Sequence, residues 1–526
     1  MTWKFAPRDA DHRLWPWLVR GLWALFVFTV VRNAWLCDDA YIYLRSVMQL
    51  WSGHGPVWNA GWRVQAFTSP LWYALLAASR IFLTDDYIRT LLLSGLLIAF
   101  VWHRWQRALA SPQQQALLLA AWLVSNGFMD YTTSGLETPL AYAVLSGFLL
   151  AYLRQQGDVL RGWPRLNIWA GLVSLTRLDL LILIAPAWFT AARRVWLQDR
   201  KTWWRGVWLA AALAGLWYGF ALVYYGSPLP NPAYAKLFHG LPRRVVLAQG
   251  GRYWIGQALL DPATLLIGLV AGLALAFGRD PRGRALATGA GLYALYLTWI
   301  GGDFMAGRFV AFAYLWLVAG ALILGLQPQR GHPWVVGLAL TILGLYAWLF
   351  PHTPVNSPWD YEVSPDFYLQ WGVGDERGRY FRYTSLLTYL VWRTQPDAPP
   401  FFPPYAWSQM GYEFRASPEP IAVVDSVGMF GYWAGPDKMV LDQWALTDPF
   451  LARLPDADGR LWRPGHYERN LPAGYLESLR TGENRLVDPT LRALYDLTVW
   501  ATRAPLFEAE RWMHLPAWWF ARAPNP

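Results

Sequence analysis

The sequence predicts an all-α polytopic membrane domain over residues 1–351, followed by a mixed α/β extracytoplasmic domain over residues 352–526. Three observations carry this. The chain is 55% hydrophobic and only 15% charged. Apolar runs near bilayer length recur as far as Leu349 and then stop. Arg and Lys collect in alternate loops, the positive-inside pattern. Together these give about eleven transmembrane helices, with short juxtamembrane helices between them.

Met1 to Arg13 is polar and basic, with Lys4, Arg8 and Arg13, and is assigned to the cytoplasm. The run 14–36 is too long for a signal peptide and lacks a clear small-residue cleavage site, so it reads as an uncleaved first span. Arg20 and Arg32 interrupt it near its ends, where long cations snorkel to the interface. Asp38 and Asp39 then stand where that helix leaves the membrane. A helix follows, because Tyr41, Leu44, Met48 and Trp51 recur at three- and four-residue steps. Such a stripe suits a helix lying flat in the interface. Ser52 to Pro56 is a turn cluster around His54.

The segment 71–83 has two readings. As a full span it puts His103 to Arg107 outside and inverts every later loop. As a re-entrant or flat helix it keeps the basic loops inside, and this reading is adopted. Spans then run at 88–102, 115–125 and 138–152, followed by a hairpin of two short helices at 166–175 and 180–191. Further spans lie at 207–224, 263–277, 285–300, 309–326 and 334–349. The inner loops hold Arg104 and Arg107; Arg154, Arg161 and Arg165; Arg193, Arg194, Arg200, Lys201 and Arg205; Arg279, Arg282 and Arg284; and Arg330. Beyond Pro351 no apolar run reaches membrane length. Short β-like pieces at 421–424 and 439–441 alternate there with helical patches such as 380–392.

Composition narrows the function classes. The 36 Trp fit interfacial belts, with a few left for sugar stacking. Positive-inside loops account for the net charge of +10, so nucleic-acid binding is not inferred. Cys37 is the single cysteine, which rules out an intramolecular disulfide, and no CxxC metal site is present. No phosphate-cradling GxGxxG or P-loop occurs. There is no internal repeat and no low-complexity tail.

The adopted topology places the unusual polar motifs on the outer face: Asp38-Asp39, Glu137 in 134–138, Arg177-Leu178-Asp179, Lys236 in 228–236, and Asp303 with Arg308 in 301–308. Paired acids at a membrane edge are costly unless they have partners or work. One of Asp38 and Asp39 suffices to cap the following helix, which leaves the other unexplained. Glu137 begins a helix, where the dipole favours an acid. Arg177 and Asp179 read first as an ion pair closing the hairpin. His54 reads first as a structural turn residue. Lys236 has interfacial snorkelling as its bland alternative, and Arg308 a pairing with Asp303.

The motifs Cys37 to Ile42, Gly53-His54-Gly55, Thr68 to Trp72, Ser134 to Thr138, Pro228 to Asn231, Gly302-Asp303-Phe304, Asp425 to Gly428, and Thr447-Asp448-Pro449 with Ala452-Arg453 resemble the AftB-type arabinofuranosyltransferases. These are members of the GT-C superfamily of polyprenyl-phosphate-sugar-dependent glycosyltransferases. Each motif is weak alone, but the ordered set spans most of the chain. One departure is Leu178, where that family more often has Pro. The resemblance implies a polyprenyl-phosphate-linked arabinofuranose donor, on a decaprenyl or shorter undecaprenyl carrier, and a glycan or glycoprotein acceptor. It implies no nucleotide cofactor, because the sugar arrives already on lipid, and a bacterial inner-membrane enzyme with its active site and C-terminal domain on the periplasmic side; no residue is assigned as a metal ligand. Asp38 is then the expected catalytic base, with Asp39 next. Glu137 and Asp303 are the further catalytic carboxylates, and a retaining reaction would draw its second carboxylate from them. Lys236 and Arg308 are the donor-phosphate ligands, and Arg177, Asp179 and His54 are substrate-binding candidates. Two other readings compete: a GT-C transferase of another sugar or onto a pilin-like protein, and a lipid-sugar flippase. Paired halves, which many transporters carry, are absent from the sequence.

Overall fold

A computed structural model describes residues 10–155, 158–324, 333–359, 364–457 and 464–523. Lys4, Arg8 and Arg330, used above for orientation, lie outside these residues. The described chain is mostly helical. Many helix starts are written in the sequence as Ser-Pro or Asp-Pro. Ser69, Ser111, Asp261, Asp280 and Asp488 each precede a Pro and accept a backbone N–H from the first turn of the helix that follows. Pro fits there because its missing N–H would have had no partner.

All eleven expected apolar segments are helical. The helices are Ala10–Arg32, Asp86–Gln106, Pro112–Val124, Thr138–Leu153, Val159–Thr176, Leu180–Gln198, Arg200–Tyr225, Pro262–Ala276, Pro281–Trp299, Val310–Leu324 and Pro333–Leu349. Among the described residues, Leu14–Arg32, Leu180–Gln198 and Arg200–Tyr225 are each long and apolar enough to cross a bilayer alone. Arg243–Leu260 and Pro262–Ala276 add a fourth if the pair, bent by 107°, is one broken span. Leu25, Phe28 and Val31 on the first helix, and Leu266, Leu269 and Val270 on Pro262–Ala276, point outward. Apolar faces of this kind require a non-aqueous surrounding.

Two expectations change, and a third keeps its form. The hairpin helices are not short: Val159–Thr176 and Leu180–Gln198 have 18 and 19 residues, and the internal Pro164 and Pro186 do not end them. The helix Arg243–Leu260 was not anticipated, because its polar and apolar residues are spread evenly around it and leave no periodic signal. The segment 71–83 does hold a short helix, Pro70–Ser79. Its ten residues rise about 15 Å, half a hydrocarbon core.

The C-terminal part contains one parallel pair of strands, β1 (Ile421–Val424) and β2 (Met439–Asp442), with Ile421 opposite Met439 and Val424 opposite Asp442. The helix Val427–Ala434 makes the crossover a parallel pair requires. The other regular elements described there are helical, so the α/β character is confined to this unit.

The helix Asp38–Trp51 does not lie flat with one face in water. It is buried along most of its length, packed against Val427–Ala434 and the short helix Pro70–Ser79. The apolar stripe predicted only one contact face. The second is made by Arg45, which is fully buried and stacks over Trp58 at 4.8 Å. It donates to the carbonyls of Gly431, Gly435 and Lys438 in the C-terminal part. A charged residue on the far side of an apolar stripe reads as solvent-facing in sequence, which is why this face was missed.

Candidate active site

Seven of the nine candidate residues come together in one charged cluster. Glu137 is at its centre and is completely buried. It stands at the N-cap of the helix Thr138–Leu153, where the dipole favours an acid, but its side chain makes no cap hydrogen bond. Arg177 Nη1 donates to Glu137 Oε1 at 2.5 Å, Arg308 Nη2 lies 3.5 Å from the same oxygen, and the Tyr43 hydroxyl donates to Oε2 at 3.2 Å. Burial pushes this carboxyl up, but Arg308 and Arg177 outweigh it and hold Glu137 below the usual carboxylate range.

Arg177 also forks onto Asp179, with Nε–Oδ1 at 3.0 Å and Nη2–Oδ2 at 3.1 Å. The expected hairpin ion pair is therefore present, and it is one arm of a larger network. Tyr293 donates its hydroxyl to Asp179 Oδ2 at 2.8 Å, and the Arg177 guanidinium lies 4.4 Å from the Phe309 ring centre. Leu178 in the Pro position has not disturbed this tip.

Arg308 is set by backbone chemistry. Gly307 has φ +81 and packs so closely on Gly127 that a Cβ would come within 2.4 Å of the Gly127 Cα. Any side chain at 307 would push the Arg308 loop off its seat. From there Arg308 Nη1 lies 3.7 Å from Asp39 Oδ2. The bland pairing of Arg308 with Asp303 is not made, since its ion pairs are with Asp39 and Glu137.

Asp38 and Asp39 divide two tasks. The Gly428 and Met429 N–H groups donate to Asp38 Oδ2 and Oδ1 at 3.1 and 2.7 Å. Asp38 thus satisfies the first amides of the helix Val427–Ala434, where an acid is favoured by the helix dipole. Asp39 keeps 22% of its side chain exposed and faces the cluster.

Asp303 is buried at 3% exposure, and its Oδ2 has no hydrogen-bond partner. Burial raises its pKa above the usual carboxylate value, and Arg308, Lys236 and Arg177 only partly counter this. Lys236 sits on the short helix Asn231–Leu237. Burial lowers its ammonium pKa, opposed by Asp303 and Asp39. Among the described residues Lys236 makes no ion pair, unlike Arg177 and Arg308. A Cβ built on Gly465 would stand 3.1 Å from its Nζ, so the absence of a side chain at 465 leaves the ammonium room.

His54 is not brought in. Its Nδ1 pairs with Gln49 Oε1 at 2.6 Å, beyond the far end of the helix that Asp38 begins. That helix rises about 20 Å, which separates His54 from the cluster. Tyr43 and Tyr293 were missed. Their single-residue signal, a Tyr inside an apolar helix, is indistinguishable from core. Among the described residues no group of three or more His, Cys, Asp or Glu side chains gathers in a way that could hold a metal.

The chain is 26% identical over 520 residues to the terminal beta-(1->2)-arabinofuranosyltransferase of Mycobacterium tuberculosis, covering 83% of this chain and 81% of that protein. It is 29% identical over 337 residues to the protein of the same name from Corynebacterium glutamicum, covering 52% of this chain and 46% of that one. No family model matches the sequence. Among solved structures, ArnT from Cupriavidus metallidurans bound to undecaprenyl phosphate aligns with a TM-score of 0.44 and 14% identity, over 84% of this chain and 86% of that one.

Proposed function

We propose that this chain is an integral membrane glycosyltransferase that moves arabinofuranose from a polyprenyl-phosphate donor to an extracytoplasmic glycan. The observation that carries the reading is Lys236: a cation facing two carboxylates with no ion pair of its own, beside two arginines that are already paired. An ammonium without an ion pair of its own can take a prenyl phosphodiester as its partner. The names of the two relatives supply the sugar.

In the proposed reaction the acceptor hydroxyl oxygen attacks the anomeric carbon, and the bond from that carbon to the phosphate oxygen breaks. Asp39 takes the hydroxyl proton, because its carboxylate is the partly exposed one. Lys236, with Arg308 beside it, meets the charge that grows on the departing prenyl phosphate. Asp303 directs its unpartnered oxygen at the sugar, as hydrogen-bond partner or, if configuration is retained, as the second carboxylate. Glu137, with both oxygens engaged, holds the two arginines in place. The cluster and the C-terminal part face the periplasm, and the basic helix ends face the cytoplasm.

The test is turnover of radiolabelled polyprenyl-phosphoarabinofuranose by the purified chain. Label on an added arabinan acceptor supports the proposal. Label that crosses a bilayer still attached to lipid, with no bond cleaved, refutes it and favours a flippase.

A further inference from the structure

The C-terminal part holds a cleft of about 760 Å³ that the reaction above does not use. That volume lies within the range of ligand sites, about 300–1,000 Å³. The rings of Tyr383, Tyr405, Trp407 and Trp444 line it, with the polar ends of Asp425 and Gln443. Aromatic faces stack on the C–H faces of sugars, and carboxylates and amides accept or donate hydrogen bonds to their hydroxyls. The lining carries four carboxylates, from Asp375, Glu376, Asp425 and Glu468, against the one cation Arg379. An excess of acid disfavours an anionic polymer and leaves a neutral polyol as the fitting ligand.

The cleft is joined to the catalytic cluster at three places. Its residue Gly374 accepts the Ala306 N–H and donates to the Phe304 carbonyl, each at 2.9 Å, so one wall is stitched to the loop of Asp303. Its residues Asp425 and Ser426 lead into the helix whose first amides Asp38 holds, next to Asp39. Trp444 meets the His466 ring at 4.5 Å, and His466 meets Phe304 at 4.3 Å. One wall of the cleft is thus continuous with the segments that carry Asp303 and Asp38-Asp39.

We propose that the cleft seats the acceptor as a neutral oligosaccharide and delivers its terminal hydroxyl to Asp39. This rests on the glycosyltransferase reading. The experiment uses the full chain in detergent and a synthetic linear oligoarabinofuranoside, with binding read by ligand-detected NMR and donor cleavage read separately as sugar released to water. Val423 is exposed on β1 and lines the cleft, so Val423→Trp fills it from the surface, and Asp425→Asn removes an exposed hydroxyl acceptor. Each should weaken oligosaccharide binding tenfold or more while leaving donor cleavage within twofold. Unchanged affinity in both variants overturns the proposal, as does binding of a peptide acceptor there in place of the sugar. If the unmodified chain binds the oligosaccharide but never cleaves the donor, the enzyme reading fails and the cleft assignment stands.

Discussion

Asp38 and Met429 are joined across 391 residues of chain, with the Met429 N–H donating to Asp38 Oδ1 at 2.7 Å. The Gly428 N–H occupies the other oxygen. A carboxylate so engaged is a poor proton acceptor, which is why Asp39 is the base in the proposed reaction.

Asp39→Asn should lower kcat by about 10²–10⁴-fold while the protein still inserts and melts normally. Asp38→Asn should do the reverse, keeping kcat within about tenfold and losing about 1.5–3 kcal/mol of stability as a charge-assisted contact weakens. Parallel kinetics and thermal melts on the two variants decide it. A larger kcat loss in Asp38→Asn returns the base to Asp38.

Lys236→Met should reduce kcat by about 10²–10³-fold, the usual cost of one donor to a developing charge. It should not lower the melting temperature, because no ion pair is broken. Turnover equal to that of the unmodified chain would remove Lys236 from phosphate binding.

Glu137→Gln leaves two buried guanidinium groups short of charge and should cost about 3–5 kcal/mol. Because the folded-state pKa of Glu137 is depressed, its stabilisation is complete above the unfolded value near about 4.3 and is lost as pH falls through the lower folded value. Melting curves of the variant and the unmodified chain should therefore stay apart from pH 5 to 8 and converge only in stronger acid.

Asp303→Asn should lose activity and gain stability. The raised pKa of Asp303 means that its ionisation in the folded state is unfavourable, and Asn never ionises. The sign follows: the stability advantage of the variant grows as pH rises above the unfolded carboxylate value and levels off beyond the folded one. Melting temperatures at pH 5 and pH 8 are enough, and an advantage larger at pH 5 contradicts the assignment.

Orientation is read with single cysteines in a Cys37→Ser background. Thr133 lies in the loop before Glu137 but is buried at 4%, so exposed positions are the useful ones. Gln409→Cys should react with an impermeant reagent in intact cells, and Arg107→Cys should not. Labelling at 107 inverts the topology.

The helices and most of the cluster were legible in sequence for identifiable reasons. Apolar runs and positive loops report directly on a bilayer, and residues sorted to one face by topology are candidates for one site. Asp39, Glu137, Asp179, Asp303, Arg177, Lys236 and Arg308 were found this way. The division of labour between Asp38 and Asp39 was not legible, because it depends on a helix nearly 400 residues away supplying two amides. Tyr43 and Tyr293 were hidden for a related reason, since a hydroxyl aimed at a carboxylate looks no different in sequence from one packed in a core. His54 misled because its motif is a turn, and a turn says nothing about which side chain it faces.

Arg45 has a consequence for how the molecule can be taken apart. Three of its carbonyl acceptors belong to residues 431, 435 and 438, while the helix it rides on begins at Asp38. A chain cut after residue 351 would lose those acceptors and the cover over Arg45, leaving a helix built for burial, with Asp39 in its first turn, open to water. The C-terminal portion is thus no removable accessory. It completes the folding of the helix Asp38–Trp51, so deleting it should abolish chemistry as well as acceptor choice, and supplying the two halves as separate polypeptides should restore activity only where they reassemble around Arg45.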